Sequence, residues 1–333
     1  MKRVIIFILT LASLTACEVE RDLDIKHLDH ESRLVVYCMP TAQRDTTVIQ
    51  VSHSLPINGN YGTSGDAYVT TEGCLIDYKV NGISQEVHAL STNERMGTVP
   101  PGRYYVVCPQ QAGDHISISV SHEGYPTATA ETVIPETVAI SEPTVHEVNR
   151  IDNDGNRWAY YQLTTQFSDL QTQADYYAVQ VEQLAKQHRY DPDSNVELTD
   201  TVPEAISINT LDEPLLNTQT EADESFGYDN DYYSNFYHFD DRQLTAQPYT
   251  LHLNIGQWGA GTVRIAFYHL SPEYYQFVKS LNDANNNGMA EYGLSTITPT
   301  FSNVHGGLGF VGAYAVSYSD WKYIFPADYP YNQ

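Results

Sequence analysis

From Arg33 onward, apolar and polar residues alternate with a period of two, the pattern of strands with one buried face. Ile116, Ile118 and Val120 alternate with Ser117, Ser119 and Ser121, and Ile49 and Val51 alternate with Gln50 and Ser52. Leu34 to Cys38, Cys74 to Val80 and Tyr104 to Cys108 are short, β-branched or aromatic runs. They are bounded by turn formers such as Asn81-Gly82 and Pro101-Gly102. This density of strands predicts an antiparallel sandwich of immunoglobulin or transthyretin type over residues 33–135. Ile134 to Pro143, with proline at both ends, reads as its boundary.

A second β-domain is expected over 144–333, as a fibronectin-like or irregular sandwich. Its apolar rows are Tyr161, Leu163, Thr165 and Phe167; Tyr177, Val179 and Val181; Leu251, Leu253 and Ile255; and Val263, Ile265 and Phe267. The whole is therefore all-β, two sandwiches with one short helix. That helix is expected at about 271–284, with Ser271 as N-cap, Pro272 at the first helical position and Glu273 against the dipole. Tyr274, Phe277, Val278 and Leu281 form one stripe for packing on a sheet, and Asn287-Gly288 supplies the stop.

The N-terminus breaks this pattern. Met1, Lys2 and Arg3 lead into the apolar run Val4 to Ala12, which ends at Leu14-Thr15-Ala16-Cys17. A cationic head, a short apolar stretch and small residues before a cysteine predict a lipoprotein signal over 1–16, with diacylglycerol carried by Cys17. Several acyl chains make such an anchor nearly permanent, unlike a single myristoyl group. Residues 17–32 read as an acidic tether.

Charge narrows the partners. With 42 acidic against 17 basic residues, the formal charge is −25, which repels nucleic acid and anionic lipid heads. From Asp191 to Asp241 there are fourteen acids and no lysine or arginine, interleaved with aromatics. This stretch, about 191–241, reads as an acidic, tyrosine-rich insertion, removable over Asp200 to Asp229 without loss of the fold. Tyr228, Tyr232, Tyr233, Phe236 and Tyr237 are its candidate ligand-binding residues, since aromatics beside acids suit sugars, cationic peptides or a basic receptor face.

Cysteine and metal chemistry add little. Cys38, Cys74 and Cys108 remain beside Cys17, and one disulfide among them stands as an even alternative to core packing. No cofactor is expected except calcium at Asp283, Asn285 and Asn287, the first half of a calcium loop that has Leu294 where the bidentate Glu belongs. No nucleophile elbow, H-E-x-x-H, phosphate loop or dinucleotide fingerprint occurs, so a catalytic role is not expected. A hydrolase is the least favoured reading.

Several stretches together carry a resemblance. They are Asp22-Leu23-Asp24 through Ser32-Arg33-Leu34-Val35-Val36, then His238-Phe239-Asp240-Asp241 leading to Tyr249-Thr250-Leu251, the helix opening Ser271-Pro272-Glu273-Tyr274-Tyr275, and the closing run Ser302-Asn303-Val304-His305-Gly306-Gly307-Leu308-Gly309-Phe310-Val311-Gly312-Ala313-Tyr314. The chain resembles a Bacteroidota lipoprotein family of unknown function, domain of unknown function 4249. The glycines of the closing run permit a tight turn and close backbone approach, so that motif reads as structural.

The resemblance implies an outer-membrane lipoprotein encoded beside a TonB-dependent receptor. It is expected to face the cell surface, or else the periplasm, and the function expected on this reading is nutrient or ligand capture or a receptor accessory role. A structural or adhesive surface protein is the alternative. Asp45-Thr46-Thr47 and Asp200-Thr201-Val202 resemble the phylum's O-glycosylation sequon, which would modify Thr46 and Thr201.

Overall fold

The computed structural model describes residues 32–55, 72–90, 102–151, 155–170, 174–191, 196–217, 232–244, 247–256, 261–290, 292–293 and 295–324. The signal, Cys17, most of the tether and Tyr228 lie outside them. By compactness the chain divides in two: Met1–Ser32 with Leu55–Ala67, almost wholly outside the described residues, and Arg33–Ser54 with Tyr68–Gln333. The described residues fall almost wholly in the second unit. It is all-β, built from several sheets, with one α-helix among the described residues.

Two layers enclose the N-terminal core. One sheet holds β1 (Leu34–Cys38), β2 (Thr46–His53), β5 (Val87–Ala89), β6 (Arg103–Val107) and β16 (Leu308–Val311), in the order β16-β1-β2-β6-β5. The other holds β3 (Leu75–Val80), β4 (Ile83–Gln85), β7 (His115–Ser121) and β8 (Ala128–Val133), in the order β4-β3-β7-β8. The alternation does what period two requires. Ile116, Ile118 and Val120 of β7 meet Val36, Ile49 and Val51 of the facing sheet, and the intervening serines face away. Asn81 and Gly82 both adopt positive φ, 51° and 80°, and close the β3–β4 hairpin as a two-residue turn.

The second core lies between another pair of sheets. One is β9 (Thr144–Ile151), β10 (Arg157–Phe167) and β14 (Tyr249–Gly256), in the order β14-β10-β9. The other is β12 (Val196–Ile206), β11 (Tyr176–Asp191), β15 (Thr262–Leu270) and β17 (Tyr314–Tyr318), with β13 (Tyr237–Asp240) on β11 and β18 (Lys322–Tyr323) on β15. All four expected apolar rows are buried between these sheets, with Phe167 at the centre against Tyr177, Phe239 and Phe267.

Three readings are refined. The stretch 191–241 is not an insertion throughout: β12 and β13 occupy successive parts of one edge of β11, and Ile208, Leu215, Leu216, Tyr237 and Phe239 belong to the core. Deleting Asp200 to Asp229 would therefore cut away part of a strand and three core residues. Cys38, Cys74 and Cys108 carry thiols with no disulfide among them. Burial pushes the Cys38 thiol up to about 12, so it packs as a small apolar side chain. Third, the helix is wider in its contacts than one stripe. α1 (Pro272–Asn285) is capped by Ser271 Oγ, which accepts from Tyr274 N at 3.3 Å, but it is covered on two sides. Tyr275 packs with Ala178 and Leu270 of the β11/β15 sheet, while Phe277 stacks on Phe310 of β16 at 4.1 Å and 6°.

That second contact reflects the least expected connection. β16, near the end of the chain, runs parallel to β1, with Val36 opposite Gly309, and so completes the N-terminal sheet. Asn303 fixes it by imitating a neighbouring strand: its Oδ1 accepts from Val311 N at 3.0 Å and its Nδ2 donates to Val311 O at 2.8 Å. Val304, Val311 and Ala313 bury themselves in the N-terminal core.

Candidate functional site

β13 and α1 enclose a cavity of about 280 Å³, lined among others by Tyr232, His238, Asp240, Arg242, Tyr275 and Lys279. Two periodicities build it. Along β13, Tyr237 and Phe239 point into the core, so His238 must point to the opposite face, where α1 lies. Along α1, Tyr275, Lys279, Asn282, Asp283 and Asn286 fall at i, i+4, i+7, i+8 and i+11, one face of the helix.

Rings form the walls. His238 stands edge-on between Tyr232, at 5.3 Å and 74°, and Tyr275, at 5.5 Å and 68°. The charges at the mouth are matched. Asp240 accepts from the Arg242 guanidinium and from Tyr275 Oη at 3.3 Å, and Lys279 Nζ meets Asp283 Oδ2 at 2.9 Å. Burial would raise the Asp240 carboxyl, but the Arg242 side chain and backbone N–H outweigh it and hold the group below its ordinary value. Burial presses the His238 imidazole down to about 4, so it is neutral at neutral pH. Its Nδ1 is buried without a hydrogen-bond partner. A buried polar atom on a side chain that lines a cavity is one that a ligand's hydroxyl or amide could satisfy.

Of the aromatic candidates, Tyr232 lines this cavity. Tyr233 is exposed at its rim, and its backbone N donates to Asn282 Oδ1 at 2.9 Å. Phe236 turns onto Tyr268 and Tyr274, and Tyr237 is buried with its hydroxyl accepting from Ile208 N at 2.9 Å. The calcium half-loop is not a loop: Asp283 and Asn285 are helical, and Asp283 pairs with Lys279. Asn287 closes the following turn, donating to Thr296 O and accepting from Ser295 Oγ. Asp283 instead joins Tyr232 at the cavity. Thr46 and Thr201 are exposed on β2 and β12. Sequence reasoning missed His238, Tyr275 and Lys279, although the alternation Tyr237-His238-Phe239 already marks His238 as the residue turned from the core.

A larger hollow of about 570 Å³ lies over β3, β7 and β8, lined by Asp77, Lys79, Glu131, Glu273 and His305. It has a single aromatic side chain, His305, and no buried orphan polar atom among its lining residues. No helix among the described residues is long and apolar enough to cross a membrane.

Fold and cavity define an all-β sandwich protein with a small aromatic and polar cleft where its helix meets a sheet. The chain belongs to the family described as Domain of unknown function (DUF4249), whose model matches residues 19–319. Neither the curated proteins nor the solved structures give a match.

Proposed function

We propose that the protein is a non-enzymatic, lipid-anchored ligand-capture protein of the outer membrane, held by acyl chains on Cys17, and that its ligand is a neutral sugar serving a TonB-dependent receptor. The observation that carries the reading is the cleft, in which the Tyr232 and Tyr275 rings flank His238, whose buried Nδ1 has no hydrogen-bond partner, while each charge at the mouth has its opposite. A charged ligand would have to break those ion pairs. A neutral polyhydroxyl ligand would use the rings for its apolar faces and Asn282, Asn286 and Gln243 for its hydroxyls. For the anchor, support comes from the sequence of residues 1–17 and from the resemblance to lipoproteins.

The test is calorimetric titration of the detergent-solubilised full chain with neutral mono- and oligosaccharides. The expected result is saturable binding, weakened at least about tenfold in Tyr275→Ala, since loss of a wall ring is worth over about 1.4 kcal/mol. Absence of saturable binding across neutral sugars would overturn the ligand class. Cys17→Ser should leave the membrane fraction, and its retention there would overturn the anchor.

A further inference from the structure

At the end of β13, beside Asp240, three acids converge. Asp169 follows β10, Asp175 precedes β11 and Asp241 follows β13, and one carboxylate oxygen from each lies within 4.8 Å of the others. The backbone holds them there: Asp241 N donates to Asp175 O, and Asp175 N donates to Asp241 Oδ2, both at 3.1 Å. Tyr177 Oη donates to Asp169 Oδ1 at 2.6 Å and fixes that carboxylate.

Converging acids alone are common. The second observation is Asp175, only 2% exposed. Its Oδ1 faces His269 Nε2 at 3.3 Å, and His269 Nδ1 lies 2.8 Å from Glu136 O, a carbonyl that only accepts. Asp175 Oδ2 is buried and has no hydrogen-bond partner. A buried oxygen with no partner is costly to keep, and a bound cation is one group that would satisfy it.

We infer that Asp169, Asp175 and Asp241 bind a calcium ion, with Asp175 as the buried ligand. The donor set is all oxygen and anionic, which selects a hard cation, and Ca²⁺ accepts irregular geometry at about 2.3–2.6 Å per oxygen. Two oxygens across such an ion stand about 4.6–5.2 Å apart, so a set within 4.8 Å closes on one ion. The ion would tie the start of β11 to the turn after β13, the turn that carries Asp240 and Arg242 into the cleft. The site stands whether or not the cleft binds sugar.

The experiment uses the full chain, stripped with chelator, and Tb³⁺ as probe, with excitation of tyrosine and emission from the ion. Saturable emission displaced by Ca²⁺ is expected, because Tyr177 contacts a ligand carboxylate, and Ca²⁺ should raise the melting temperature. Asp175→Asn, which keeps the shape of the side chain, should abolish both effects. Asp241→Asn should weaken Tb³⁺ binding at least tenfold. Displaceable emission and a calcium shift that persist unchanged in both variants would overturn the site. So would a wild type that shows neither effect, which would make Asp175 a protonated acid sharing its proton with the cluster.

Discussion

Gly309→Ala should detach β16 from β1. Gly309 has φ of +94° and lies opposite Val36 in the parallel pair. A side chain there pays about 1–2 kcal/mol for the left-handed backbone alone. Its Cβ would also stand 2.2 Å from Val36 O and 2.9 Å from Val36 N and C. Those are backbone atoms of a central strand, so no rotamer relieves the overlap and the strands must separate, at the cost of about 1–3 kcal/mol usual for overpacking. The sum is about 2–5 kcal/mol. Gly124→Ala isolates the backbone part, because Gly124 has a similar φ of +88° and a Cβ there would meet nothing within 4 Å. That variant should lose only about 1–2 kcal/mol. Urea unfolding of both, with amide exchange at Val35 to Cys38, measures the difference. Equal losses within about 0.5 kcal/mol, or undisturbed exchange in β1, would refute the close-approach argument.

Two further outcomes follow from the same geometry. Arg264 lies with its guanidinium carbon 3.9 Å from the centre of the Tyr318 ring and 4.5 Å from that of Trp321, while Nε meets Glu182 Oε2 at 2.6 Å. Arg264→Lys keeps the charge and loses the planar stacking, so it should cost about 1–2 kcal/mol and alter Trp321 fluorescence; an unchanged melt and emission spectrum would count against the stack. His238 ionises at about 4 in the folded protein against 6.5 for the free group. The unfolded chain therefore binds the extra proton first, so this contribution to stability is present above about pH 6.5 and is lost as pH falls toward 4. Urea midpoints across that window should fall less steeply in His238→Gln, and parallel slopes would show that His238 is not the group involved.

What could be read from the chain divides by the range of the interaction that decides it. Ser271-Pro272-Glu273 states a helix start in three residues because a cap is a local hydrogen bond, and the observed helix begins there. The Gly306 to Gly312 run announced close approach because absence of a side chain is itself the signal. It did not say what approaches, since β1 is most of the chain away, and parallel pairing leaves no hairpin turn to mark it. The acids between Asp191 and Asp241 misled for the opposite reason. Edge strands exposed to water take polar residues on both faces, so β12, with Glu197, Asp200 and Glu204 outward, looked like a solvated loop.

The same rule explains why the cleft and the acid cluster escaped notice. Both are assembled by the pairing of β11 with β13, Tyr176 opposite Asp240 and Ala178 opposite His238. That register brings Asp175 beside Asp241 at one end of the pair and turns His238 toward Tyr275 on the side facing α1. A one-residue slip would send His238 into the core and Phe239 into the cleft. The burial of Tyr237 and Phe239 against Phe167 therefore holds the register that both sites depend on. Conservative changes at Phe239 should thus disturb His238 and Asp241 together, although Phe239 is buried in the core.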